Sequence, residues 1–188
     1  MWGCLDDFPG ESRAGSDTIG PRMADRIRNR ALPFSFFNWL WIGLVAGTLD
    51  ISENILYNHF RAVTPTMIFQ YIASGLIGMQ AFQMGGTSLA MGVVIHYLIA
   101  LTWTAIFYVA SRRLGVLRER PVISGLLYGV VVYGVMTYIV LPLTRVPPPR
   151  HPPTWITRVN ALLPLLFCIG LTIALLVRWT DERYTKHS

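Results

Sequence analysis

Charged side chains are scarce in this chain. Asp, Glu, Lys and Arg make up 14% of its 188 residues, against about 25% in a typical soluble domain. The shortage is also uneven. None of the four occurs in residues 62–111, 121–144, 31–49 or 159–177, runs of 50, 24, 19 and 19 residues. A helix that crosses a bilayer needs roughly 20 mostly apolar residues. These gaps exclude an ordinary soluble domain and require a polytopic, all-α membrane protein. An apolar share of 53% and a mean hydropathy of +0.45 agree.

Cysteine is nearly absent too. Cys4 and Cys168 are the only two, too few and too far apart for a disulfide framework or a clustered metal site. No Walker A loop, dinucleotide fingerprint, His-Glu-x-x-His or Gly-x-Ser-x-Gly occurs, and each of those patterns carries a specific chemistry. No pair of intramembrane histidines suits a heme, and no internal repeat of the transporter kind is visible. No catalytic set, metal or cofactor is therefore expected. Lysine occurs once, at Lys186, and the other fifteen of the sixteen basic residues are arginine. They sit at the ends of apolar runs, where arginine meets lipid headgroups and orients the chain. The net charge of +6 thus points to the lipid bilayer as partner and not to nucleic acid.

Five apolar segments are present: 34–57, 66–84, 87–110, 121–143 and 155–179. Residues 1–33 read as a polar, disordered N-terminal tail and 180–188 as a C-terminal tail, with 34–179 as the membrane domain. Met23 opens a basic lead into the first span and is the expected native start. About 30 mostly polar residues precede the first apolar run, so no cleavable signal peptide is expected. Segment 66–84 is the weakest span, because it is short and contains Gln70, Ser74, Gln80 and Gln83. Cytoplasmic loops carry an excess of Lys and Arg. If all five segments cross, the sixteen basic residues divide equally between the two sides. If 66–84 returns to the side it came from, twelve of the sixteen fall on the cytoplasmic side. The expected fold is therefore a four-span helical bundle with one additional re-entrant or interfacial helix, both termini cytoplasmic. The Pro-rich stretch 147–153 then forms a stiff outer strap.

Two carboxylates lie inside an apolar helix. Ionisable groups in the hydrocarbon region are costly and face the protein interior. At 100° per residue, Gly43, Gly47, Asn54 and Tyr57 share a face with Asp50, and Glu53 lies at its edge. Gly43-x-x-x-Gly47 is a close-packing motif for membrane helices, and Gly125-x-x-x-Gly129 is a second. His96 is the one histidine inside a confident span, on a face with Gly92, Ala100, Trp103 and Phe107. The four-span arrangement sets Asp50 and His96 at similar depth. Asp50, Glu53, Asn54 and His96 then form either a polar cluster for protons, an ion or a small substrate, or a hydrogen-bonded lock on helix packing. Segment 66–84 covers the cluster as a half-helix or lies on the outer surface.

Gly43-Leu-Val-Ala-Gly-Thr-Leu-Asp50, Ile72-Ala-Ser-Gly-Leu-Ile-Gly78 and His96-Tyr-Leu-Ile-Ala100 resemble a group of small bacterial multi-pass membrane proteins, the YagU-like proteins. Leu126-Leu-Tyr-Gly129, Asn160-Ala-Leu-Leu163 and Cys168-Ile-Gly-Leu171 fit the same resemblance, which covers about residues 40–178. It implies a bacterial inner-membrane protein and supplies no activity. The leading expectation is a non-enzymatic accessory or assembly component, homo-oligomeric or part of a larger membrane complex. The alternative is a small proton- or ion-coupled transporter using the Asp/Glu/His cluster. A third is a membrane enzyme acting on lipid headgroups near the outer leaflet.

Overall fold

The computed structural model describes residues 36–148 and 153–186, all within the compact unit Leu32–Ser188. The tail at 1–33, Met23, Phe34, Cys4, and the middle of the Pro-rich strap lie outside the described residues. Every described element is helical. The first is α1, Phe36–His59. The second, α2, is Pro65–Ile77 and is followed by a 3-10 turn, Gly78–Phe82. A long α3 spans Gly86–Arg113, and a single turn, α4, covers Val116–Glu119. Next, α5 runs Pro121–Leu143. The last, α6, joins Trp155–Pro164, Leu165–Leu171 and Thr172–Lys186.

Three helices, α3, α5 and α6, are long and apolar enough to cross a membrane, which fits a membrane-embedded protein. The 24 residues of α1 are long enough. Its Asn38, Asp50, Glu53, Asn54 and Asn58 make it less apolar than the other three. At 13 residues, α2 is only about 20 Å long, against about 30 Å of hydrocarbon. The last helix continues past the expected span end at 179 to Lys186, and residues 111–120, between the third and fourth apolar segments, hold the end of α3 and all of α4.

Sequence explains where the helices begin, turn and widen. The Thr64 hydroxyl accepts from the Met67 N–H, and Pro65 occupies the first turn of α2, where its missing N–H costs nothing. Thr154 caps α6 in the same way. The end of α1 closes in a Schellman motif: Ala62 N–H donates to the His59 carbonyl and Val63 N–H to the Asn58 carbonyl. Ala62 therefore takes a φ of +59°, a conformation that favours glycine. In α5, Pro142 cannot donate, and the preceding residues 136–140 widen into a π turn. A second π turn, Leu165–Leu171, follows Pro164 in α6.

The long helices alternate in direction. The Trp39 indole N–H donates to the Leu101 carbonyl at 2.9 Å, and Gly47 lies against Tyr97 and Ala100. Position rises along α1 as it falls along α3, so the two are antiparallel. The pair α5 and α6 is antiparallel by the same logic: Gly125 meets Gly170 to Ala174, and Gly129 meets Leu165 and Leu166. The core lies between α1, α3 and α6, built from Ile42, Ala46, Phe107, Tyr108, Ile169, Ile173, Ala174 and Val177. At one end, Arg118 on α4 pairs with Asp181 on α6 at 3.1 Å. At the other, Arg145 N–H donates to the Gly75 carbonyl of α2 at 2.9 Å.

Because α1 and α3 are antiparallel, the whole segment between them begins and ends at the same end of the bundle. There α2 packs along α3, with Gly92 directly against the Phe69 main chain. The Gln70 amide donates to the Gly85 carbonyl at 3.3 Å, and the Ser88 hydroxyl donates to the same oxygen at 3.0 Å.

Candidate functional site

A cavity of about 740 Å³ opens at the end of the bundle that holds α2. Pockets for small molecules commonly run from about 300 to 1,000 Å³. One wall is a stripe of α1, Asp50, Asn54, Tyr57 and Asn58, continued by Arg61 in the turn that follows. The spacing of the α1 residues puts them on one side of the helix. His96, Ile99, Ala100 and Trp103 of α3 form the second wall, and Met67, Ile68, Tyr71 and Ile72 of α2 the third. Thr157, Asn160, Pro164, Leu165 and Ile169 of α6, with Met136 of α5, also line it. Both π turns contribute, through Met136 and through Leu165 with Ile169.

His96 is buried, with 8% of its surface exposed. Its Nε2 lies 2.9 Å from the Gly47 carbonyl. An oxygen acceptor there requires Nε2 to carry the proton and donate it. The imidazole thus ties α3 to α1 one turn before Asp50. Asp50 is half-buried, and the two side chains lie within electrostatic reach of one another. Its carboxylate accepts no hydrogen bond from any described residue. Pro164, in the cavity wall, has no N–H to donate to the Asn160 carbonyl.

Of the four candidates from the sequence, Asp50, Asn54 and His96 line this cavity, and Glu53 does not. Glu53 Oε2 is buried with no hydrogen-bond partner among the described residues. Cys168 of α6 lies within electrostatic reach of both carboxylates. The glycines seat the walls. Gly43 and Gly47 lie against α3, and Gly125 and Gly129 lie against α6. Arg61, Tyr57, Asn58, Thr157 and Asn160 were absent from the candidate set. Each stands near a helix end, where a polar side chain reads as a headgroup contact. No group of three or more His, Cys, Asp or Glu suits a metal ion among the described residues.

Comparison with protein-family models, with curated protein sequences and with solved structures finds no match to this chain.

Proposed function

We propose that this chain is a four-span protein of the bacterial inner membrane that binds a small solute in the outward-facing cavity and carries it with proton or ion coupling at Asp50 and His96. One observation supports this most: a cavity of ligand size brings an unpartnered carboxylate of α1 and the imidazole of α3 together inside a bundle of apolar helices. A group as costly as Asp50 in an apolar helix faces a cavity or a partner, and Asp50 faces a cavity.

The membrane assignment draws on three supports. The charge bias puts α4 and the end of α6 on the cytoplasmic side, together with both termini. The alternating helices allow α1 to be the fourth span, with α2 as a half-helix on the outer side. The resemblance to YagU-like proteins adds the bacterial inner membrane.

A second proposal, a non-enzymatic accessory or assembly component, rests on the His96 bond to the Gly47 main chain. That bond is what a packing lock makes. Homo-oligomerisation or membership of a larger membrane complex belongs to this proposal.

The test uses purified full-length chain in proteoliposomes carrying an internal pH-sensitive dye. External pools of small amines, zwitterions and carboxylates are added under an imposed pH gradient. The carrier proposal expects one pool to dissipate the gradient through wild type and not through Asp50→Asn. Silence from every pool, with co-purification of a larger complex in mild detergent, overturns it in favour of the accessory component.

A further inference from the structure

The cavity is lined by two charged side chains of opposite sign, and neither forms a salt bridge among the described residues; His96 lies within electrostatic reach of Asp50. Asp50 accepts no hydrogen bond. Arg61 donates from Nη1 to the Tyr57 hydroxyl at 3.1 Å, and its guanidinium lies over the Tyr57 ring at 5.2 Å from the centroid. That contact is neutral and leaves the positive charge uncompensated. It also holds the exposed guanidinium at the level of Tyr57, beside the cavity.

Spacing follows from helix geometry. Asp50 and Tyr57 are seven residues apart on one face, which at 1.5 Å per residue is about 10 Å. Glu53 lies within electrostatic reach of Asp50, so the deeper end of the cavity is the negative end. The rest of the lining is mainly apolar, with Ile68, Ile72 and Ile99, and Asn54 of α1 is a polar side chain between the two charges. Asp50, half-buried in an apolar helix, costs free energy until a ligand matches it, and the exposed Arg61 offers the opposite charge on the same cavity. A simple cation would leave Arg61 unmatched, and a simple anion would leave Asp50 unmatched.

We propose that the cavity takes a zwitterion with a hydrocarbon middle, its ammonium against Asp50 and its anionic end against Arg61. This rests on the solute-binding proposal above and names its ligand class. Ammonium and anion on one molecule occur in soluble ω-amino acids and in the headgroup of phosphatidylethanolamine, so the test separates those sources.

The full-length chain is placed in phosphatidylglycerol nanodiscs and titrated with 6-aminohexanoate, hexylamine and hexanoate by calorimetry. The expected result is binding of 6-aminohexanoate at least tenfold tighter than either single-charge probe. Asp50→Asn is expected to weaken 6-aminohexanoate at least tenfold and to spare hexanoate. Arg61→Gln, at an exposed helix end where folding is safe, is expected to weaken 6-aminohexanoate and to spare hexylamine. Repetition in phosphatidylethanolamine nanodiscs identifies the source. Weaker binding there means the lipid headgroup occupies the site, and unchanged binding means a soluble ligand. Both results uphold the zwitterion. Hexylamine binding as tightly as 6-aminohexanoate overturns the zwitterion and leaves the solute-binding proposal standing. Binding of none of the three overturns it as well, and proteoliposome flux then decides whether solute binding survives.

Discussion

Substituting Gly92 by alanine tests how α2 is held against the bundle. A Cβ at Gly92 would collide with the Phe69 carbonyl oxygen, and it would lie 2.6 Å from the Phe69 carbonyl carbon and 3.0 Å from its Cα. All three atoms are main chain, so no rotamer change relieves the overlap. Ordinary contact begins near 3.4 Å, so α2 must retreat by roughly 1 Å. Gaps of 0.5–1 Å forfeit about a quarter to a half of each van der Waals contact. In a bilayer no hydrophobic term between helices compensates, because packing itself drives association. Overpacking of a fitted site costs about 1–3 kcal/mol, and a backbone-on-backbone clash belongs at the top of that range. Gly134 is the internal control: a Cβ there meets nothing within 4 Å, and glycine to alanine in a helix gains up to about 1 kcal/mol. Unfolding in mixed micelles of denaturing and mild detergent should therefore show Gly92→Ala destabilised by about 2–3 kcal/mol and Gly134→Ala unchanged or stabilised. Gly92→Ala as stable as Gly134→Ala would refute the close approach of α2 to α3.

Three further outcomes follow from the same structure. Gly129→Ala, whose Cβ would lie 2.6 Å from the Leu165 carbonyl oxygen and Leu166 Cα, should cost about 2–3 kcal/mol in the same assay, and a neutral effect would contradict the α5–α6 seam. Ala62→Gly should stabilise by up to about 1 kcal/mol, since it relieves a left-handed alanine at a helix end, and a loss would contradict the Schellman closure. Glu53→Gln should keep solute binding and flux where Asp50→Asn loses them, because Glu53 lies off the cavity; equal losses in the two variants would count against the separation of the carboxylates.

Much of this architecture is written in the distribution of charge. Apolar runs of 19 residues or more have few outcomes in a membrane besides helices, and α3, α5 and α6 fall on three such runs. The difficulty with α1 came from its own chemistry. The residues that make it interesting, Asp50, Glu53 and Asn54, are the ones that reduce its apolar character. The widened turns in α5 and α6 were only partly legible. Pro164 announced a disturbance in α6, but a prolyl residue specifies a lost hydrogen bond and not the π geometry around it.

The candidate site divides along similar lines. Helical periodicity placed Asp50 and Asn54 on one face, and the two short glycine motifs announced close contact between helices. A cavity, however, is what packing leaves unfilled, and no pattern in one dimension encodes it. Arg61 illustrates the consequence. In sequence it is a charge after a span, which is most simply a headgroup contact. In the fold it curls back onto Tyr57 and becomes the positive end of the cavity. Glu53 illustrates the reverse. Three residues from Asp50, it sat at the edge of the expected polar arc, and that rotation was enough to leave it off the cavity lining.

The account depends most on the segment between α1 and α3 staying on the outer side, since the cavity lies there. Single cysteines at Ala62 and Met79, introduced in a Cys4→Ser, Cys168→Ala background, can be labelled in intact cells with a membrane-impermeant maleimide. Both positions are exposed. The account predicts that both label from the periplasmic side without disruption of the inner membrane. Labelling at 62 with protection of 79 until that membrane is opened would mean that residues 65–82 cross it, and the outward cavity could not exist.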